Sequence, residues 1–199
     1  MCKTRWACML GLAALSAVLV YSQSSVAADK EEAKAKIGEA APDFTLKDSF
    51  GKEFKLSEFK NKIVVLEWMN QQCPVSHGHH EKQTMQKTYK KAADKVVWLA
   101  IDTGKLNSPE SNRIYAARMG LAYPILSDVD GKVGRLYGAR TTPHMFVINK
   151  GGKLAYDGAI DDHADTNYVA DAVQALIDGK NVPKSKTESY GCGVHYPKD

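Results

Sequence analysis

Hydrophobic and polar positions along the chain fall into two periods, one for strands and one for helices. Ile63-Val64-Val65-Leu66-Glu67-Trp68 is a nearly continuous β-forming run, the pattern of a strand buried on both faces of a sheet. Val96 to Ile101 repeats it, and Met145-Phe146-Val147-Ile148-Asn149 forms a third such strand. Ala41 to Leu46 alternates apolar and polar residues and reads as a short edge strand. Phe54 and Leu56 pair back across a turn at Gly51, and Ser57 caps a one-turn helix through Phe59. A helix is predicted from Pro74 to about Ala93, another from Ser108-Pro109-Glu110 to Gly120, and a short one from Val133 to Tyr137. Tyr123 to Leu126 is a short strand. A Gly151-Gly152 hairpin joins the Met145 strand to a partner near Lys153 to Tyr156, and Thr166 to Asp178 is an amphipathic helix closed by Gly179. Strands alternating with helices, then a hairpin and a last helix, predict one α/β sandwich around a mixed sheet over residues 37–180.

The ends of the chain differ from this core. Lys3 and Arg5 precede an apolar run from Leu10 to Tyr21, and Ser25-Val26-Ala27-Ala28 supplies small residues for a signal peptidase. Residues 1–28 therefore read as a cleaved secretory signal, with an uncleaved N-terminal membrane anchor as the alternative. The apolar run is too short to span a bilayer. The expected location is outside the cytoplasm, the periplasm in a Gram-negative cell, with no stable membrane association after cleavage. Residues 29–36 are charged and Ala-rich, a flexible lead-in. Residues 181–199 are a tail that carries Cys192 behind a Pro183 and Lys/Ser-rich linker.

Composition changes little except the cysteine count. The 199 residues suit one domain with a real core, and charged residues make up 25%. The net charge is +4, and losing the signal removes Lys3 and Arg5 and no acidic residue. No basic block is present, so nucleic-acid binding has no support. Cys2 and Cys8 leave with the signal. Cys73 and Cys192 remain, and an exported protein permits a disulfide. Two cysteines are too few for a disulfide framework in a domain this size, so they are one staple or one redox pair.

Cys73 stands where a buried strand ends and a helix begins, with Pro74 at the first helical position. The helix N-terminus favours an anion there, which lowers the thiol pKa and makes the thiol reactive. Thr142-Pro143 enters the Met145 strand, where a proline cannot donate to the ladder. A cis bond and an ordinary trans turn both fit that local sequence.

Taken in order, several motifs resemble one family. They are Ala41-Pro42-Asp43-Phe44, the strand ending at Trp68, Cys73-Pro74, Tyr123-Pro124-Ile125-Leu126-Ser127-Asp128, Gly131-Lys132, Tyr137-Gly138 and Thr142-Pro143-His144-Met145-Phe146-Val147-Ile148. Together they resemble the redoxin, peroxiredoxin-like branch of the thioredoxin superfamily, related to the AhpC/TSA proteins. The resemblance implies a thioredoxin-like three-layer sandwich with a central mixed sheet flanked by helices. It implies that Pro143 is cis and packs beside the Cys73 sulfur, and that the backbone near Thr142 pairs with a substrate peptide.

The chain departs from two patterns within that superfamily. The thioredoxin Cys-x-x-Cys becomes Cys73-Pro74-Val75-Ser76, and a hydroxyl cannot resolve a mixed disulfide. The peroxiredoxin Pro and Thr positions hold Leu66 and Asn70, so the groups that orient a peroxide are missing. Cys73-Pro74, Asn70 and the terminal Tyr190-Gly191-Cys192-Gly193 look like the peroxiredoxin-like proteins of that superfamily. Cys192 is then expected to pair with Cys73, as staple or resolving thiol, with a free thiol on a mobile tail as the plain alternative. Glycines on both sides of Cys192 allow a close backbone approach.

His77, His79 and His80 follow Cys73, and on a helix Cys73, His77 and His80 project to one side. With His144 beside Pro143, these donors suit copper or zinc, although the spacing matches no standard site. Solvated histidines that merely raise local positive charge are the bland alternative. Glu67 is a candidate proton carrier if buried near the thiol, and an outward or hydrogen-bonded carboxylate otherwise. Asp161-Asp162-His163 reads as a cap and loop cluster.

The expected function is an exported thiol–disulfide oxidoreductase. Cys73 attacks, Thr142 and Pro143 shape the substrate groove, and Cys192 or an external thiol releases the intermediate. Its partners are protein disulfides or thiols and a redox partner. No organic cofactor is implied. The alternatives are a thiol peroxidase and a copper-binding or chaperone module using Cys73 and the histidines.

Overall fold

A computed structural model describes residues 34–92 and 94–198. The expected signal, residues 1–28, lies outside the described residues. Among the described residues no helix is long and apolar enough to cross a membrane.

The elements follow in the order β1 (Thr45–Asp48), β2 (Glu53–Lys55), a 3-10 turn (Leu56–Phe59), β3 (Ile63–Trp68), α1 (Pro74–Glu81), α2 (Thr84–Ala92) and β4 (Val96–Thr103). Then come α3 (Pro109–Met119), β5 (Ile125–Asp128), α4 (Lys132–Tyr137), β6 (Thr141–Thr142), β7 (His144–Ile148), β8 (Leu154–Gly158), α5 (Tyr168–Ile177) and β9 (Cys192–Gly193). Seven strands form one sheet in the order β2-β1-β5-β4-β3-β7-β8. β3, β4 and β5 are mutually parallel, and the strands on either side run antiparallel.

The period of two in the buried strands divides the core. On one face Ile63, Val65, Trp98, Ala100, Met145 and Val147 pack against Met85 of α2, Tyr115 of α3, and Val169, Ala172 and Val173 of α5. On the other, Val64, Leu66, Trp68, Leu99, Ile101 and Phe146 meet Val133, Leu136 and Tyr137 of α4. The expected α/β sandwich is therefore the one observed. Phe146 meets Trp68 edge-on at 5.2 Å between centroids and Tyr137 at 5.5 Å.

Four local expectations shift. The strand expected at Ala41–Leu46 begins only at Thr45. Pro42 has no N–H for a ladder, its carbonyl accepts the Tyr137 hydroxyl at 2.7 Å, and Asp43 takes the N–H groups of Phe44 and Ser57. Asp43 also replaces Ser57 as the group that ties down the 3-10 turn. The helix expected from Pro74 to Ala93 is two helices. Gln83 sits at a φ of 59° and breaks the ladder, and the His80 carbonyl accepts the Gln83 N–H and the Gln86 side chain, each at 3.0 Å. At the N-terminal side, order begins before Ile37, because Ala35 N–H donates to the Leu136 carbonyl at 2.9 Å.

The largest shift is the tail. Residues 181–199, expected as a tail whose Cys192 reaches Cys73, with a free end as the alternative, run back over the domain and add a strand, β9, paired antiparallel to β6. Asp157 N–H donates to the Ser185 carbonyl at 3.0 Å, and Thr187 N–H donates to the Asp157 carbonyl at 3.1 Å. The Thr187 hydroxyl accepts Ala159 N–H at 2.8 Å. A Cβ on Gly158 would collide with the Thr187 hydroxyl oxygen, so glycine is what lets the tail lie this close. Tyr196 closes the strap by donating to the Ala139 carbonyl at 2.6 Å, and Arg135 donates to the Pro197 carbonyl at 2.7 Å.

Phe146 is 1% exposed and ties β7 to both neighbours of the aromatic cluster. Phe146→Ala is expected to cost about 3–5 kcal/mol, as the lost transfer energy and the cavity add. A denaturant titration checks this as a lowered midpoint with an unchanged slope.

Candidate active site

Cys73 is the N-cap of α1, with extended backbone at φ −79° and ψ 118°. Its own N–H donates to the Asn70 carbonyl at 3.0 Å, and its carbonyl accepts His77 N–H at 2.8 Å. This holds the side chain over the first helical turn, where N–H groups lack intrahelical partners. The sulfur is nearly enclosed, with the residue 2% exposed. In its protonated form Cys73 Sγ donates to the Thr142 carbonyl at 2.9 Å. The Thr142–Pro143 peptide bond is cis.

The tail brings the second sulfur here. In the β6–β9 pair Thr142 lies opposite Cys192, and Thr141 lies opposite Gly193. The Thr142 hydroxyl donates to the Cys192 carbonyl at 3.4 Å. The two thiols are not joined, and hydrogen-bond to one another. Burial alone pushes the Cys73 thiol up. The Cys192 thiol, the Ser76 N–H, the Thr142 side chain and the Cys192 N–H outweigh it and hold Cys73 below the ordinary thiol range. Cys192 moves the opposite way, pushed up to about 11 by its bond to Cys73, then by burial and by the Cys73 charge, against the Val75 N–H. Cys73 makes no side-chain capping hydrogen bond, so the first-turn N–H groups of Ser76 and Val75 act on the two sulfurs through their dipoles. The two thiols titrate as a pair, the first proton leaving below the ordinary thiol range and the second above it.

The serine in place of a second helix cysteine is structural. Ser76 is fully buried, and its hydroxyl accepts Asn70 N–H at 3.4 Å. Asn70 has its own task in the same loop. Its side-chain oxygen accepts Gln72 N–H at 2.9 Å and the Asn107 amide at 3.3 Å. Asn107 also donates to Asp102 at 3.1 Å, and Asn112 donates to the other Asp102 oxygen at 2.9 Å. A buried carboxylate at the end of β4 therefore braces the loop that presents Cys73. Nothing in the local pattern of Asp102 singled it out. Its signal is a charged residue at the end of a buried strand run. Leu66, in the other peroxiredoxin position, is core.

The histidines do not assemble with Cys73. His80 is 1% exposed, its Nε2 donates to Glu67 at 2.7 Å, and its Nδ1 meets the Tyr115 hydroxyl at 2.8 Å. His144 Nδ1 accepts Arg140 N–H at 3.1 Å, and its Nε2 donates to Asp157 at 2.8 Å. His77 pairs with Glu81 at 3.2 Å. The helical spacing did put them on one side, but that side is the core, where both ring nitrogens of His80 are already bonded. Among the described residues no three His, Cys, Asp or Glu side chains converge to hold a metal ion. Glu67 is the hydrogen-bonded alternative. It is fully buried and accepts from His80, from Trp98 Nε1 at 2.8 Å and from the Tyr123 hydroxyl at 3.2 Å.

Asp161 does more than cap a loop. It accepts the Tyr190 hydroxyl proton in a short hydrogen bond, and the same Tyr190 oxygen meets His79 Nε2 at 2.9 Å. Since Tyr190 spends its one proton on Asp161, His79 donates through Nε2 and leaves Nδ1 bare. Burial, opposed by the Asp161 and Glu67 charges, holds the His79 pKa below the usual range.

This fold and site define a thioredoxin-like redoxin. Residues 37–157 match the AhpC/TSA family, and the chain belongs to it. A thiol-disulfide oxidoreductase ResA of Geobacillus thermodenitrificans is 30% identical over 125 residues, 62% of this chain and 70% of that protein. A ResA of Halalkalibacterium halodurans is 32% identical over 154 residues, 76% of this chain and 84% of that protein. The crystal structure of an uncharacterized conserved protein from Geobacillus kaustophilus superposes with a TM-score of 0.73 at 26% identity, covering 82% of this chain and 94% of that one.

Burial, opposed by the amides of Asn112 and Asn107, pushes the Asp102 carboxyl up to about 6. A raised folded-state pKa favours the folded protein at low pH, and that stability is lost as pH rises through the folded value. Asp102 should therefore contribute up to about 3 kcal/mol more near pH 4 than near pH 7. The stability of wild type minus that of Asp102→Asn, from denaturant titrations at the two pH values, is expected to fall by about 2–3 kcal/mol on going to pH 7.

Proposed function

We propose that this chain is an exported thiol–disulfide oxidoreductase in which Cys73 attacks and Cys192 resolves. The observation that carries the reading is the placement of the second thiol, with Cys192 opposite the Thr142 whose carbonyl accepts from the Cys73 sulfur. One sulfur at a helix N-terminus is held toward thiolate by a second thiol placed opposite Thr142. The ResA relatives support the reaction class, and the signal-like residues 1–28 support export.

The Cys73 thiolate attacks one sulfur of a substrate disulfide, the substrate S–S bond breaks, and one substrate sulfur leaves as a thiolate. Cys73 is then in a mixed disulfide, its charge is gone, and the Cys192 proton is no longer held by it. Cys192 loses that proton, attacks the Cys73 sulfur, and expels the second substrate thiolate. The chain ends as the Cys73–Cys192 disulfide, and two electrons have passed to the substrate. An external dithiol returns them, and with a thiol substrate the same steps run in reverse. His79, His80 and Glu67 are bonded elsewhere and take no part in these transfers.

Cys73→Ser is expected to abolish exchange with a peptide disulfide. Cys192→Ser is expected to keep the first step and stop at the second, accumulating a mixed disulfide visible by intact mass after acid quenching. Loss of the first step in Cys192→Ser, or full turnover without Cys192, would contradict the assignment.

A further inference from the structure

Strand β6 is two residues long, and its strand partner is β9. The main-chain groups along this edge are taken by the tail. Thr141 and Thr142 pair with Gly193 and Cys192, and Val194 N–H donates to the Arg140 carbonyl at 3.0 Å. Gly191 lies so close that a Cβ there would strike the Thr142 carbonyl oxygen. A second strand cannot pair with an edge already filled, and with the tail in place the Cys73 residue is only 2% exposed.

The segment Gly191–Gly193 is short, and its grip depends on anchors on either side. Downstream, Tyr196 bonds the Ala139 carbonyl at 2.6 Å. Upstream, two positions before Cys192, Tyr190 bonds Asp161 and His79 and stacks on His163 with centroids 3.8 Å apart. His79 belongs to α1, the helix that also carries Cys73 at its start. The upstream anchor thus links the tail directly to the reactive helix.

We propose that β9 is the resident occupant of the substrate groove, seated where an extended polypeptide around a substrate cysteine pairs with β6, and that the Tyr190 clamp sets how readily it gives way. This rests on the oxidoreductase reading above and adds that the tail of this chain and an extended substrate strand use one sheet edge. The consequence is an order of events. The tail leaves and takes Cys192 with it, the substrate strand pairs with β6, and Cys73, still favoured as an anion at the N-terminus of α1, forms the mixed disulfide. The returning tail then brings Cys192 to the Cys73 sulfur and displaces the product strand from the same edge. Self-closure and substrate entry therefore compete for one set of hydrogen bonds.

The test uses the full chain with Cys192→Ser, so that only the first step is read, with and without Tyr190→Phe. Phenylalanine keeps the ring on His163 and removes the bonds to Asp161 and His79. The probe is an extended peptide carrying one cysteine as a disulfide with thionitrobenzoate, whose release is followed by its colour. Tyr190→Phe is expected to react about tenfold faster, the gain from losing the net stabilisation of such bonds. Equal rates would overturn the clamp. A second measurement needs no substitution. An unreactive peptide with serine for its cysteine is added to the wild-type protein, and exchange of the Val194 amide is expected to accelerate as the tail is displaced. Peptide bound with Val194 protection unchanged would overturn shared occupancy. Displacement without any mixed disulfide from Cys73 would support the groove assignment and contradict the oxidoreductase reading instead.

Discussion

Everything at the site depends on the unpaired N–H groups in the first turn of α1. A helix must leave these donors without backbone acceptors, and here they meet sulfur. The N–H groups of Ser76 and Val75 favour negative charge on Cys73 and Cys192. Two adjacent thiolates repel. The pair therefore gives up its first proton more readily than an ordinary thiol and its second less readily. The asymmetry follows from position. Cys73 is the N-cap, while Cys192 arrives from the tail and lies half-buried at the rim. In the proposed mechanism this difference in position is what separates the attacking thiol from the resolving one.

The rest of the structure keeps that turn in place. Parallel strands β3 and β4 end beneath it, and Asp102 at the end of β4 braces the Asn70 loop through Asn107. The bond from Ser76 to Asn70 N–H locks the loop from the helix side. On the opposite wall, His144 is fixed by Asp157 and by Arg140 N–H, which orients the chain entering the cis Thr142–Pro143 turn. The buried His80–Glu67 pair fixes the floor of α1 against β3. The charges here are paired and hydrogen-bonded, as burial requires.

The sheet, the helices on each side and the Cys73 position were legible in the sequence, because a buried parallel strand followed by Cys-Pro carries a local signal. The cis Thr142–Pro143 bond was legible only through family resemblance, since both isomers fit the local sequence. The break at Gln83 was not legible, as no proline or glycine marks it. The histidines misled because helical spacing tells which residues share a side, not whether that side meets solvent or core. The tail was legible only in part. Its Lys, Ser and Pro content is that of a linker, and what docks it is a run of single contacts to Ala159, Asp161, Thr142 and Ala139, each far away in sequence. The glycines flanking Cys192 were the one local clue, and of the two it is Gly191 that permits the close approach at Thr142.

The central claim is that the two thiols at the head of α1 titrate as a pair. Thiolate absorbance in the ultraviolet, followed from neutral to alkaline pH on the reduced protein, measures it most directly. Two separated steps are predicted, a first below the ordinary thiol range and a second near pH 11, with the first moving upward in Cys192→Ala. A single step in which both thiols ionise together at the ordinary value, unmoved by Cys192→Ala, would contradict it.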